Sequence, residues 1–127
     1  MNVALDTNAY SDFMRGVASR VSIVQETTRI FLPLFVLGEL RAGFAAGNRG
    51  PQNAEALERF LRNPKSEVLI PDLTTTAVYA RVFTELRNQG TPIPTNDLWI
   101  AALAIQHGLK LCTSDSHFQN ISGLEIC

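Results

Sequence analysis

The chain has 127 residues, 46% of them apolar and 18% charged, with 11 basic side chains against 12 acidic ones and a net charge of −1. This is the composition of one globular domain spanning residues 1–127; it excludes a disordered chain and a repeat array, and its pI near 6.1 does not advertise nucleic-acid binding. No uncharged apolar run reaches the roughly 18 residues of a membrane span and no signal peptide is visible, so a soluble, cytoplasmic protein is expected.

In chain order, Val3 to Leu5 reads as a short apolar strand ending at Asp6, followed by helical segments over Ala9 to Met14 and Ala18 to Thr27. Ile30 to Leu32 is a second strand, and Pro33 opens a long helix from Leu34 to Ala46, since proline suits a first helical turn where its missing N–H is not needed. Gly47 to Pro51 is a turn, and Gln52 to Arg62 an amphipathic helix with Leu57, Phe60 and Leu61 on one side. Glu67 to Ile70 is a third strand. Thr74 to Asn88 carries Ala77, Val78, Val82, Phe83 and Leu86 in the rhythm of a core-facing stripe. Asn96 to His107 is apolar nearly all round, as a central helix is, and Gly108 stops it. Lys110 to Thr113 is a fourth strand and Leu124 to Ile126 a fifth. Strands alternating with helices predict an α/β fold, a three-layer α/β/α sandwich around a parallel sheet of about five strands.

Cys112 and Cys127 fit no zinc spacing, and Cys112, in an apolar run, reads as a buried thiol. Nine of the 11 basic residues are Arg, and eight of the 11 lie between Arg15 and Lys65. Arginine suits phosphate because its planar fork donates two bonds at once; a solvated helical face is the plainer reading.

Ligands of parallel sheets bind beyond the carboxyl ends of the strands. There the first strand ends in Asp6–Thr7–Asn8 and the fourth in Thr113–Ser114–Asp115, while Asp97 begins the most buried helix and Glu39 sits among apolar neighbours. Each acid has an ordinary explanation: a cap for Asp115, a favourable helix dipole for Asp97, an Asx-turn with Asn8 for Asp6, an ion pair with Arg41 or exposure for Glu39. Their conjunction is harder to explain that way. Two unit charges about 4 Å apart repel by roughly 4 kcal/mol at an effective dielectric of ~20. Protonation or a cation relieves this, and carboxylates without a thiolate or a histidine cluster select Mg²⁺ or Mn²⁺. With four carboxylates assigned to such a site, eleven basic residues face eight remaining acids, a balance of +3. Thr7, Asn8, Asn96 and Ser114 are candidates to hydrogen-bond and hold the acids.

The segments ALDTNAYSDFM, LFVLGELRAGFAAG and IPTNDLWIAALAIQHGLKLCTSDSHFQNISGLEI, in that order, resemble the PIN-domain family, and in particular the VapC-like toxic ribonucleases of bacterial toxin–antitoxin pairs. The likeness spans essentially the whole chain. It implies that Asp6, Glu39, Asp97 and Asp115 are the acidic catalytic and metal-site residues, with Asp6 and Asp97 most directly tied to the metal and Thr113 a hydroxyl nearby. It also implies Mg²⁺ or Mn²⁺, endoribonuclease activity on RNA, a homodimer and a cognate antitoxin that occupies the site. Exposed apolar residues on the Thr74–Asn88 helix would suit the dimer face. Some members carry another acid after the last Asp; Ser116 and His117 stand there instead, which argues against a strongly bound second metal; His117 could touch RNA or a leaving group, though a packing or surface role is the plainer reading.

The chemistry expected is attack of a water on a phosphodiester, leaving 5′-phosphate ends. The alternatives are a PIN-like binding module without catalysis and a metal-dependent phosphatase; the latter commonly uses a DxD arrangement, whereas Asn8 follows Asp6 here.

Overall fold

Each apolar run expected to be a strand, apart from the last, enters one parallel sheet. A computed structural model describes residues 1–127. Its strands are β1 (Asn2–Leu5), β2 (Arg29–Pro33), β3 (Ser66–Leu69) and β4 (Lys110–Cys112), in the order β3-β2-β1-β4. Val3 pairs with Ile30 on one side and Lys110 on the other, both in parallel register. The helices are α1 (Thr7–Met14), α2 (Ala18–Glu26), α3 (Leu34–Ala46), α4 (Gly50–Arg62), α5 (Leu73–Gln89) and α6 (Thr95–Gln106), with a 3-10 turn at Ser116–Asn120.

The continuous apolar character of β1 and α6 follows from burial on all sides. Val3, Ala4, Leu5, Ala101, Ala102, Leu103 and Ala104 have almost no exposed surface. On α4, Leu57 is buried and the Phe60 ring meets Tyr10 and Phe13 of α1 edge-on. On α5, Val82 and Leu86 face the core, whereas Phe83 is 42% exposed and stacks beside Tyr79, which in turn stacks on Trp99 of α6.

α5 begins with a reciprocal cap. Asp72 Oδ1 accepts from the Thr75 amide at 3.1 Å, and Thr75 Oγ1 accepts from the Asp72 amide at 2.9 Å. Gln106 Nε2 also donates to Asp72 Oδ1 at 2.9 Å, which ties the start of α5 to the end of α6. Gly90, at φ 76°, closes α5 in the left-handed conformation that glycine adopts without a Cβ penalty.

Two expectations need correction. The fifth strand at Leu124–Ile126 is reduced to one parallel bridge, Leu111 opposite Ile126, so the sheet has four strands. The chain turns through Gly123 and meets the open side of β4 only from Glu125 onward, with bonds between Leu111 and Glu125, Cys127 and Leu111, and Thr113 and Cys127. That short ladder carries Cys127 alongside Cys112, and the two sulfurs are joined. Cys112 is fully buried as expected, but it is a bridged cysteine and not a free thiol. No helix is long and apolar enough to cross a membrane.

Candidate active site

From β1 the chain winds outward through β2 to β3, then returns across β1 to place β4 on its other flank. At such a reversal the connections leave in opposite directions and a crevice opens beyond the carboxyl ends of the two central strands. Leu5 pairs with Cys112, so the residues that follow each, Asp6 and Thr113 to Asp115, leave the sheet side by side.

Asp6 is 5% exposed and caps α1, its Oδ1 accepting from the Ala9 amide at 2.8 Å; the partner is Ala9, not the Asn8 of an Asx-turn. Thr7 Oγ1 donates to Glu39 Oε1 at 2.9 Å and so draws α3 against the start of α1. Arg41, the ion-pair partner considered for Glu39, is instead turned to Glu58 at 3.1 Å. Asp97 lies in the first turn of α6 with its side chain 16% exposed. Asp115 caps the 3-10 turn by accepting from the His117 amide at 2.9 Å, while its own amide donates to Thr113 Oγ1 at 2.9 Å. The cap considered for Asp115 is therefore present, and the same residue also faces the crevice.

Asp6, Thr7, Asn8, Glu39, Asp97, Ile100 and Asp115 line one small open cavity of about 140 Å³. Asn96 lies outside it, exposed on α6, and the Ser114 hydroxyl accepts from Arg20 Nη2 at 2.9 Å rather than meeting a carboxylate. Thr113 is 7% exposed, with its hydroxyl between the Asp115 amide and the Asp6 carboxylate.

The electrostatics are those of acids held under protest. Burial pushes the Asp6 carboxyl above its ordinary value, opposed by the Thr113 hydroxyl, the Ala9 amide and the Arg20 charge, while Asp115 pushes it further up. Burial also raises Asp97, with His117 opposing and Asp115 and Glu39 reinforcing the rise. An all-oxygen set of this kind fits a hard divalent cation, which would relieve the mutual repulsion and the cost of burial together.

Two residues near these acids have roles that the sequence reading missed. His117 Nδ1 lies 3.3 Å from Asp97 Oδ2 and 3.1 Å from Asp115 Oδ1, because the turn capped by Asp115 folds back over its own cap. The available signal was the spacing of Asp115, His117 and the buried Phe118 that anchors the turn. Arg20 is 8% exposed and donates to Ser114 Oγ and, at 3.1 Å, to the Cys127 carbonyl, and its charge acts on Asp6. Nothing in the pattern of α2 distinguished it from the other arginines. Of those, Arg15, Arg29, Arg41 and Arg59 are each paired on the surface with Asp12, Glu67, Glu58 and Glu55.

Residues 3–124 match the PIN domain family. The chain belongs to the PIN-domain family. It is 31% identical to ribonuclease VapC1 of Haemophilus influenzae over 126 residues, covering 95% of this chain and 92% of that protein. Among solved structures it is similar to VapBC2 from Rickettsia felis bound to a DNA fragment from their promoter, with TM-score 0.86, 27% identity and coverage of 100% of this chain and 98% of that one. It is also similar to VapBC-5 of Mycobacterium tuberculosis, a member of the VapBC family of toxin–antitoxin systems, with TM-score 0.74, 26% identity and coverage of 98% and 96%. The PIN fold here is the α/β arrangement of a parallel four-stranded sheet flanked by helices.

Proposed function

We propose that this protein is a divalent-metal-dependent endoribonuclease that hydrolyses RNA phosphodiester bonds, acting as the toxin of a toxin–antitoxin pair. The observation that carries the reading is the convergence of Asp6, Glu39, Asp97 and Asp115 on one cavity at the strand-order reversal. Full-length similarity to a VapC ribonuclease and to VapBC assemblies supports the substrate class and an antitoxin partner. A tRNA or another structured RNA is the target we assign, and the cytoplasm the place of action. In that reducing compartment the Cys112 and Cys127 segments would be held together by the backbone bonds of the strand bridge and by Arg20. A homodimer is part of the proposal, with the exposed side of α5 around Phe83 as its face.

Asp6, Asp97 and Asp115 would hold Mg²⁺ or Mn²⁺. A bound cation of this class polarises the phosphate and lowers the pKa of an attacking water. The chain's own contribution is placement and proton acceptance. Thr7 fixes Glu39 Oε1, which leaves Oε2 to take the proton of the water. The Ala9 amide holds Asp6, and the Thr113 hydroxyl holds the backbone of Asp115, which limits how far these carboxylates stray from the crevice. Because water and not the 2′-hydroxyl attacks, the products carry 5′-phosphate.

The deciding experiment is cleavage of tRNA and total RNA by wild-type protein and Asp6→Asn in Mn²⁺, Mg²⁺ or EDTA, with the ends of the products mapped. Discrete fragments with 5′-phosphate that disappear in EDTA and in the variant are expected. Ends bearing 2′,3′-cyclic phosphate would overturn the mechanism, and cleavage that survives both EDTA and the variant would overturn the site.

A further inference from the structure

Outside the acidic set, the imidazole of His117 is the group whose position asks for a chemical explanation. It belongs to a 3-10 turn rather than to the sheet or its helices, yet its Nδ1 is aimed at Asp97 and Asp115 simultaneously. Phe118, 1% exposed, pins the turn in the core, and the His117 amide is bound to Asp115 Oδ1. The ring is thus set by its neighbours while remaining about half exposed, with a side-chain exposure of 48%.

The separations carry the inference. Bonds of about 2.0–2.1 Å at right angles, as in octahedral coordination, put adjacent donors about 2.9 Å apart and opposite donors about 4.2 Å apart. His117 Nδ1 stands 3.1 Å from Asp115 Oδ1 and 3.3 Å from Asp97 Oδ2, and the three donor atoms lie within 4.8 Å of one another. In the metal-free chain these are hydrogen-bonding distances, and they are equally the spacings of neighbouring ligands around one ion, slightly wider than the small Mg²⁺ needs. Carboxylate oxygens suit Mg²⁺ and Mn²⁺ alike, whereas an imidazole adds little for Mg²⁺ and favours first-row transition ions, the later ones most.

We infer that His117 Nδ1 is a ligand in the cation site formed with Asp97 and Asp115, and that it makes the site selective for a first-row transition divalent cation over Mg²⁺. The inference rests on the metal-dependent reading above and sharpens it from a pair of alternatives to a preference. It also assigns a proton location, since a coordinating Nδ1 leaves the hydrogen on Nε2.

The test uses Mn²⁺ itself as probe, on the full chain without RNA. Pulsed electron paramagnetic resonance of wild-type protein with one equivalent of Mn²⁺ should show hyperfine coupling to a directly bound ¹⁴N, absent in His117→Asn. Calorimetry should show Mn²⁺ affinity falling by about 10–100-fold in His117→Asn, the loss typical of a removed metal-site partner, with Mg²⁺ affinity changing less than about threefold. Because the spectrum is recorded on the unaltered chain, failure of the variant to fold would not protect the inference. Mn²⁺ bound without nitrogen coupling, yet lost in Asp97→Asn, would overturn the role of His117 and leave the carboxylate site standing. No Mn²⁺ binding by folded wild-type protein would overturn both.

Discussion

Asp6 and Asp72 occupy the same local position and have opposite electrostatic fates. Each follows directly or closely on a strand, caps a helix and accepts from the backbone amide three residues on. At Asp72 the cap is complete: amides of α5 and the Gln106 side chain hold the exposed carboxyl below its ordinary value, Gln106 foremost. At Asp6 the cap is insufficient, and burial beside Asp115 holds the carboxyl above it. A helix start needs only the first arrangement. The second costs stability, which is the pattern expected of an acid placed for chemistry rather than for the fold, the role proposed above for Asp6.

The largest expected effect separates the caps by function. Asp6→Asn and Asp97→Asn should each reduce RNA cleavage by about 10³-fold or more, whereas Asp72→Asn, outside the cavity, should cleave at close to the wild-type rate while melting earlier. Equal loss at Asp6 and Asp72 in a cleavage assay would erase the distinction.

The next effect comes from the cation. At about 100 times its dissociation constant, Mn²⁺ should stabilise wild-type protein by about 2.7 kcal/mol, read as a rise in Tm. The rise should vanish in Asp97→Asn and persist in Asp72→Asn.

A smaller effect probes the structural cap alone. Thr75 is fully buried, and Thr75→Val removes its hydroxyl from Asp72 and Gln106 together. Denaturant unfolding should show a loss of about 1 kcal/mol or somewhat more, with Mn²⁺ affinity unchanged.

The smallest effect is in pH, and its sign differs between the two caps. In EDTA the folded state binds protons at Asp6 and Asp97 more tightly than the unfolded chain. Their contribution to stability therefore increases as pH falls through the raised values and levels off below the ordinary carboxylate value of 3.8. Asp72 does the reverse: its stabilisation is complete above 3.8 and is lost as pH falls through its lowered value. Melting curves between pH 3 and 8 should show the first limb flattened in Asp6→Asn and suppressed by Mn²⁺, which competes with those protons.

Much of this was legible before the structure. Strand ends at Asp6 and Asp115 are visible because an apolar run stops at an acid, and Glu39 and Asp97 are visible because an acid interrupts or opens an apolar helix. Parallel alternation gave the layers, and α3 and α4 begin near their prolines. What was not legible depends on the backbone returning to itself. The short turn after Asp115 was expected, but not that it would carry His117 back to Asp97, nor that Arg20 of α2 would bond to Ser114 and the Cys127 carbonyl. The last strand failed for a similar reason: Leu124 to Ile126 has strand-like residues, but Gly123 delivers them to β4 too late for more than one bridge.

The neighbour relations of β1 also set an order of events during synthesis. β2 and β3 add outward on one flank of β1 in the order in which a ribosome releases them. The other flank stays open until the residues beyond Gly108 emerge, and Arg20 waits across 107 positions of sequence for the Cys127 carbonyl. Asp6 therefore acquires Asp115 as a neighbour last of all. A nascent or prematurely released chain carries Asp6 and Glu39 without Asp115, so the acidic cavity is complete only once nearly every residue has been added.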